Sequence, residues 1–232
     1  MDKRKIMREK IVIEGGHKLN GTVEISGAKN ATVALIPAII LADSPVTIYG
    51  VPEISDVDAL AVLLEELNCT VLRSHDSLIV DPSRMENVGD SIIVYGDNKN
   101  FNAVDVRTQV YPGFATDLQQ PLTALLTQAN GQSQVIETIY PERFRHCEQL
   151  NKMGANIELD ESMCYINGKT PLKGAKVEAT DLRCGAALLI AGLIADGITE
   201  ISNVYHIDRG YANIDQKLIT LGAVIRRIKV DD

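Results

Sequence analysis

Tryptophan is absent from this 232-residue chain, and aromatic residues make up only 4% of it. Its core must come from aliphatic side chains, which a content of 45% apolar residues supplies. Positive charge is not in excess: Lys and Arg number 23 against 31 Asp and Glu, for a net charge of -8. A general nucleic-acid or membrane-surface role is excluded, because neither polyanion would meet a broad basic face. Long hydrophobic runs are missing too. The uncharged stretches Ala31 to Ala42 and Cys184 to Ala195 fall well short of the ~20 apolar residues that a membrane span needs. The start MDKRKIMREKIVIEGG is basic but has no signal-type apolar region, so a cytoplasmic protein is expected. The four cysteines, Cys69, Cys147, Cys164 and Cys184, form no CxxC pair and no Cys/His spacing suited to zinc. They read as small buried residues, and no metal or cofactor is implied.

What is present is repetition. The phrase L-x-G at Leu19 to Gly21 recurs at Leu172 to Gly174, and the text after each runs in parallel: ISGAKNATVALIPAIILAD against ATDLRCGAALLIAGLIAD. Strand-like VTIYGV and TEISNV follow. Helices come next, with apolar residues at matching offsets, Val57, Leu60, Leu64 and Leu67 in one and Tyr211, Ile214, Leu218 and Leu221 in the other. TVLRS and AVIRRI close the two copies. A middle copy fits between them: VDVRT, the turn TDLQ, PLTALLTQANG, QVIETI, RFRHCEQLNKMG, ANIEL and MCYING.

The expected fold is therefore α/β, a single pseudo-threefold domain over 11–230 behind an N-terminal extension 1–10. It holds three β-α-β-α-β-β repeats of about 60 residues, near 19–83, 101–168 and 172–230, with a junction near 84–100. The first helix of each outer repeat is apolar all round and is expected to be buried between sheets; the second has one apolar stripe and is expected nearer the surface. Pro37 predicts a kink in the first. Two nearly identical strand phrases bear on the junction: DSLIV at Asp76 to Val80 reads as the last strand of the first repeat, and DSIIV at Asp90 to Val94 lies within the junction.

Polar residues concentrate where each repeat enters its first helix: Lys29-Asn30, Thr116-Asp117-Leu118-Gln119 and Thr180-Asp181-Leu182-Arg183. A threefold arrangement gathers these turns at one end, where helix N-termini present free N–H groups and positive dipole ends to an anion. A second set follows the second strand of each repeat, at Pro52-Glu53, Pro141-Glu142-Arg143 and His206-Ile207-Asp208-Arg209. Lys29, Arg143, Arg183 and Arg209 around a small anion, with Asp117 and Asp181 as acceptors or bases, is one reading. The other is structural: Thr116 and Thr180 as N-caps, and Asp beside Arg as an ion pair. His146 and His206 lack a nearby nucleophile and read as structural. Gly15-Gly16 and Gly113 read as turns, since no G-x-G-x-x-G is present.

These residues carry a resemblance to the enolpyruvyl transferases, and within them to the branch that acts on UDP-N-acetylglucosamine in peptidoglycan precursor synthesis. The matching phrases are I-x-G-G-x-x-L-x-G at Ile13 to Gly21, G-A-K-N at Gly27 to Asn30, P-x-x-S-D-V at Pro52 to Val57 and PGFATDLQ at Pro112 to Gln119. ETIYPERFRH at Glu137 to His146, ATDLR at Ala179 to Arg183 and H-I-D-R-G-Y at His206 to Tyr211 complete them. The resemblance implies an inside-out α/β barrel and two small-molecule substrates, phosphoenolpyruvate and UDP-N-acetylglucosamine. It implies Lys29 on phosphoenolpyruvate, Asn30 on the nucleotide sugar, and Asp117 as the base at the sugar 3-hydroxyl. Ile139 then contacts the sugar nucleotide through its backbone. Arg183 and Arg209 hold the phosphate and carboxylate, supported by Arg143 and Asp181.

The pattern departs from the family in one respect. Family members have six such units in two domains; this chain has three, the first similar to the family's first unit and the others to its last two. DSIIV is similar to the last strand of the family's fourth unit. The family's reactive-cysteine loop has no counterpart, and none of the four cysteines lies in a G-C-x-x-G-x-R-P context. Very weak or no turnover by the isolated chain is expected. A shortened relative acting as a non-catalytic binding or structural module is the alternative, and an open half-site also suits pairing as a homodimer.

Overall fold

The computed structural model describes residues 8–24, 46–49, 51, 55–66, 70–73, 91–95, 101–111 and 113–230. Three four-stranded sheets of identical plan organise them. In the middle repeat β6 (Asp105–Arg107) runs parallel to β7 (Gly131–Ile136), which pairs antiparallel with β9 (Met163–Gly168), and β9 with β8 (Ile157–Asp160). The first repeat repeats this order with β2 (Gly21–Glu24), β3 (Val46–Tyr49), β5 (Ser91–Tyr95) and β4 (Thr70–Arg73). The third uses β10 (Lys176–Glu178), β11 (Ile198–Ser202), β1 (Arg8–Glu14) and β12 (Val224–Val230).

A parallel pair needs a crossover, and in the described repeats the crossover is a helix. These are α2 (Thr116–Leu126) between β6 and β7 and α4 (Leu182–Ile194) between β10 and β11. Residues 118–126 of α2 and 184–193 of α4 are buried, as the all-round apolar pattern predicts. The two helices pack on each other, and Leu122, Leu189, Val106, Ile201, Val23 and Leu60 belong to one continuous core. The outer helices are α1 (Ser55–Glu66), α3 (Arg145–Lys152), α5 (Tyr205–Asp208) and α6 (Ile214–Thr220). Helix α3 shows the single stripe, with Cys147 and Leu150 inside and Arg145 and Glu148 exposed.

Two placements go beyond the repeat pattern. Strand β1, from the start of the chain, fills in the third sheet the position that β9 fills in the second, and it begins at Arg8. Its ladder with β12 pairs Arg8 to Glu14 with Val230 to Val224, and Ile11 and Ile13 are fully buried. Ile13→Ala is therefore expected to cost about 2–5 kcal/mol, read as a lower urea midpoint with an unchanged slope. In the first sheet β5, formed by the second of the two similar phrases, holds the corresponding position, with Ile48 opposite Ile92 and Leu72 opposite Ile93. The expectation for DSLIV, the kink at Pro37 and the turn with Lys29 and Asn30 lie outside the described residues.

Candidate functional site

The starts of α2 and α4 bring three of the expected residues together. Asp117, in the first turn of α2, receives two guanidinium groups on the same oxygen: Arg143 Nη1 at 3.1 Å and Arg183 Nη2 at 2.7 Å from Oδ1. Arg183 sits in the first turn of α4, and Arg143 in the turn between β7 and α3. The ion-pair reading and the anion-site reading thus describe the same three side chains.

The capping assignment needs correction. Asp181, not Thr180, is the N-cap of α4: its backbone is extended and its Oδ1 accepts from the N–H groups of Arg183 at 2.8 Å and Cys184 at 3.1 Å. Asp181 therefore holds the first turn of the helix that carries Arg183. At α2 the N-cap is Ala115, which has no side-chain cap. Thr116 lies one residue inside the helix, and its hydroxyl donates to Glu137 Oε2 at 2.8 Å and accepts from Arg143 Nη1 at 2.9 Å.

Glu137 was not singled out from the sequence, yet it organises this end of the domain. It is 1% exposed and accepts four hydrogen bonds, from the hydroxyls of Thr108 (2.7 Å) and Thr116 (2.8 Å) and the backbone N–H groups of Ile139 (2.8 Å) and Tyr140 (3.0 Å). One buried carboxylate thereby ties the end of β6, the start of α2 and the turn after β7 together. The signal for it was an acidic residue closing the apolar strand QVIE just before a turn. Because the N–H of Ile139 is taken, any backbone contact from Ile139 to a ligand falls to its carbonyl. Tyr140 packs beneath Arg143, whose Cζ lies 4.1 Å from the ring centroid.

Asp117 and Arg183 shift one another's titration. Burial pushes the Asp117 carboxyl up, but the hydrogen bond and charge of Arg183, followed by those of Arg143, outweigh it and hold Asp117 below its ordinary 3.8. Arg183 is partly desolvated as well, and its Nε is buried with no hydrogen-bond partner. Two arginines share one carboxylate oxygen, and these are donors for which a phosphate or carboxylate could compete. Burial drives His146 down to about 3, which keeps it neutral and structural. Burial also raises the Cys184 thiol, which removes it as a ready acid or nucleophile.

Arg209 stands apart. It follows α5, is exposed, and among the described residues has no ion-pair partner. The segment carrying it still rests on the site: a Cβ on Gly210 would lie 3.1 Å from Leu182 Cδ1, and buried Tyr211 feels the charges of Arg183 and Asp117. Gly185 permits this approach, since a Cβ there would collide with Ile207 Cγ1.

Comparison with known proteins fits this geometry. The chain superimposes on the crystal structure of the enolpyruvyl transferase NikO from Streptomyces tendae with a TM-score of 0.74 and 27% identity, over 87% of this chain and 44% of that one. EPSP synthase from Acinetobacter baumannii shares the fold at a TM-score of 0.55. The fold is thus that of an α/β protein of the enolpyruvyl transferase type. The family model for EPSP synthase (3-phosphoshikimate 1-carboxyvinyltransferase) matches residues 13–88 and 83–218, and the chain belongs to that family. Among curated relatives, UDP-N-acetylglucosamine 1-carboxyvinyltransferase 2 of Bacillus subtilis (strain 168) is 52% identical over 148 residues, 64% of this chain and 34% of the relative. The protein of the same name from Staphylococcus aureus (strain Mu50 / ATCC 700699) is 58% identical over 138 residues, 60% of this chain and 33% of the relative. The chain spans about a third of the length of these relatives.

Proposed function

We propose that this chain carries the base and anion-holding part of a carboxyvinyl transferase site, with phosphoenolpyruvate and UDP-N-acetylglucosamine as its ligands. The observation that carries this reading is Asp117 held by Arg143 and Arg183 at two helix starts, in a chain 52% identical over 148 residues to a carboxyvinyltransferase of that sugar nucleotide. In this reading the phosphate and carboxylate of phosphoenolpyruvate draw Arg143, Arg183 and Arg209 onto themselves, with Lys29 on the same ligand and Asn30 on the sugar. Losing its arginine partners raises Asp117 toward the pKa of a working base, and it takes the proton of the sugar 3-hydroxyl. The hydroxyl oxygen attacks the central carbon as the methylene gains a proton; phosphate leaves and a methyl proton is lost to restore the double bond.

The methylene needs an acid, and the described site residues offer none: Asp117 is ionised, His146 is buried and neutral, and Cys184 is a buried thiol. Tyr111, Tyr140 and Tyr205 are 78%, 54% and 56% exposed on the segments entering α2, α3 and α5, which supports a site open to water. Binding with little turnover is therefore expected, in the cytoplasm where both ligands are made and used. Calorimetry with each ligand and phosphate release with both test this. Heat of binding with near-background release is the expected result; absence of heat from either ligand in a cooperatively folded chain overturns the reading, and fast release lost in Asp117→Asn overturns the weak-turnover part. The exposed tyrosines also favour a face-to-face homodimer as a second reading, which a monomeric sedimentation profile at high concentration removes.

A further inference from the structure

One arginine remote from Asp117 in sequence holds three carboxylates. Arg227, in β12, donates from Nε to Asp215 Oδ2 at 2.7 Å and from Nη2 to Asp215 Oδ1 at 3.2 Å and Asp208 Oδ1 at 2.6 Å. Its Nη1 donates to Asp208 Oδ2 at 3.0 Å and Glu9 Oε2 at 3.3 Å. These five bonds use every N–H that a guanidinium possesses, a geometry no lysine can copy.

The placement of the carboxylates matters more than their number. Asp208 is the last residue of α5 and Asp215 the second of α6, so both ends of the segment 209–214 are tied to one guanidinium. Glu9 on β1 and Arg227 on β12 anchor that guanidinium to the longest ladder among the described residues. On its other side the segment meets the start of α4 through Gly210 on Leu182, and Tyr211, 2% exposed, lies within range of the Arg183 and Asp117 charges. Arg209 lies in this closed segment, exposed and without an ion-pair partner among the described residues. A free segment would pay ordering entropy when Arg209 engaged an anion; a segment fixed at both ends has already paid it.

We propose that Arg227 is a positioning residue for Arg209, closing the segment 209–214 so that the Arg209 guanidinium reaches the anion held by Arg143 and Arg183. The inference rests on the anion-site reading above, and its test separates the two.

Phosphoenolpyruvate is titrated calorimetrically into the parent chain, Arg209→Ala, Arg227→Lys, Asp208→Asn and the double variants Arg209→Ala/Arg227→Lys and Arg209→Ala/Asp208→Asn, well below each unfolding midpoint. Arg209→Ala is expected to weaken binding by about tenfold, and Arg227→Lys and Asp208→Asn by about three- to tenfold. Neither double variant is expected to bind more weakly than Arg209→Ala alone, because the lost positioning has nothing left to act on. A merely structural arginine would lower the midpoint, leave the affinity of the folded fraction unchanged, or add its effect to that of Arg209→Ala; either affinity result overturns the proposal while the anion site stands. Failure of the parent to bind overturns the anion-site reading and the proposal with it; indifference to Arg209→Ala in a parent that binds overturns the proposal alone. Asp208→Asn, which keeps the side chain's shape, carries the test should Arg227→Lys not fold.

Discussion

Replacing Asp117 by Asn is expected to tighten phosphoenolpyruvate binding by about tenfold while abolishing whatever phosphate release the parent shows. Asp117 occupies the donors that an anion needs, at 2.7 Å from Arg183 and 3.1 Å from Arg143. Asparagine keeps the shape, gives up the charge and leaves both guanidinium groups, with the unpartnered Nε of Arg183, to the ligand. The sign with pH follows from the depressed carboxyl. Asp117 titrates below 3.8, so its competition persists undiminished across neutral pH and is relieved only as pH falls through the folded value. Its contribution to stability has the same window, being present above the unfolded value and lost in acid. Asp117→Asn is accordingly expected to be slightly less stable than the parent at pH 7, by on the order of 1 kcal/mol for a partly exposed pair, with the gap closing below pH 4. Calorimetry at pH 7 and thermal melts along a pH series measure the two effects, and weaker phosphoenolpyruvate binding by the variant would show that Asp117 assists the anion.

Glu137→Ala is expected to give the largest loss of stability, about 3–5 kcal/mol. The side chain is buried and accepts from Thr108, Thr116, Ile139 and Tyr140; its removal strands two backbone N–H groups and two hydroxyls away from water. Such a loss is a sizeable part of the 5–15 kcal/mol by which domains of this kind are stable. Glu137→Gln is expected to cost less, about 1–2 kcal/mol, because its carboxamide still accepts the bonds now made to Oε1 while its NH2 turns against the Thr116 hydroxyl. Urea unfolding of the two variants checks the order, and equal midpoints for parent and Glu137→Ala would mean that the carboxylate is idle.

Much of this molecule could be read from its sequence because it repeats. Apolar residues at the same offsets in each copy report which faces are buried, and the all-round burial of α2 and α4 follows directly from their uncharged text. Asp117 and Arg183 were legible because their repeats put polar residues at the start of the first helix, and these two starts meet; Arg143 came from the second polar set, after the second strand of its repeat. What was not legible depends on contacts between distant parts of the chain. Nothing in REKIVIE says that β1 completes the third sheet beside β12, since a period of two residues fixes a face and not a partner. The near-identical phrases DSLIV and DSIIV have the same alternation, so pattern alone could not assign β5 to the first sheet. Arg227 gathers Glu9, Asp208 and Asp215 across separations that no local motif marks. The cap of α4 moved by one residue, from Thr180 to Asp181, because both side chains can cap and only backbone geometry decides.

Titration of the parent chain and of Arg183→Ala with phosphoenolpyruvate at pH 7 and low salt tests the central claim, that paired helix starts and their arginines form an anion site governed by Asp117. Saturable binding by the parent, weakened at least about tenfold in a variant that still unfolds cooperatively, is the predicted result. Equal affinity in the two proteins, or no binding by a folded parent, would contradict it.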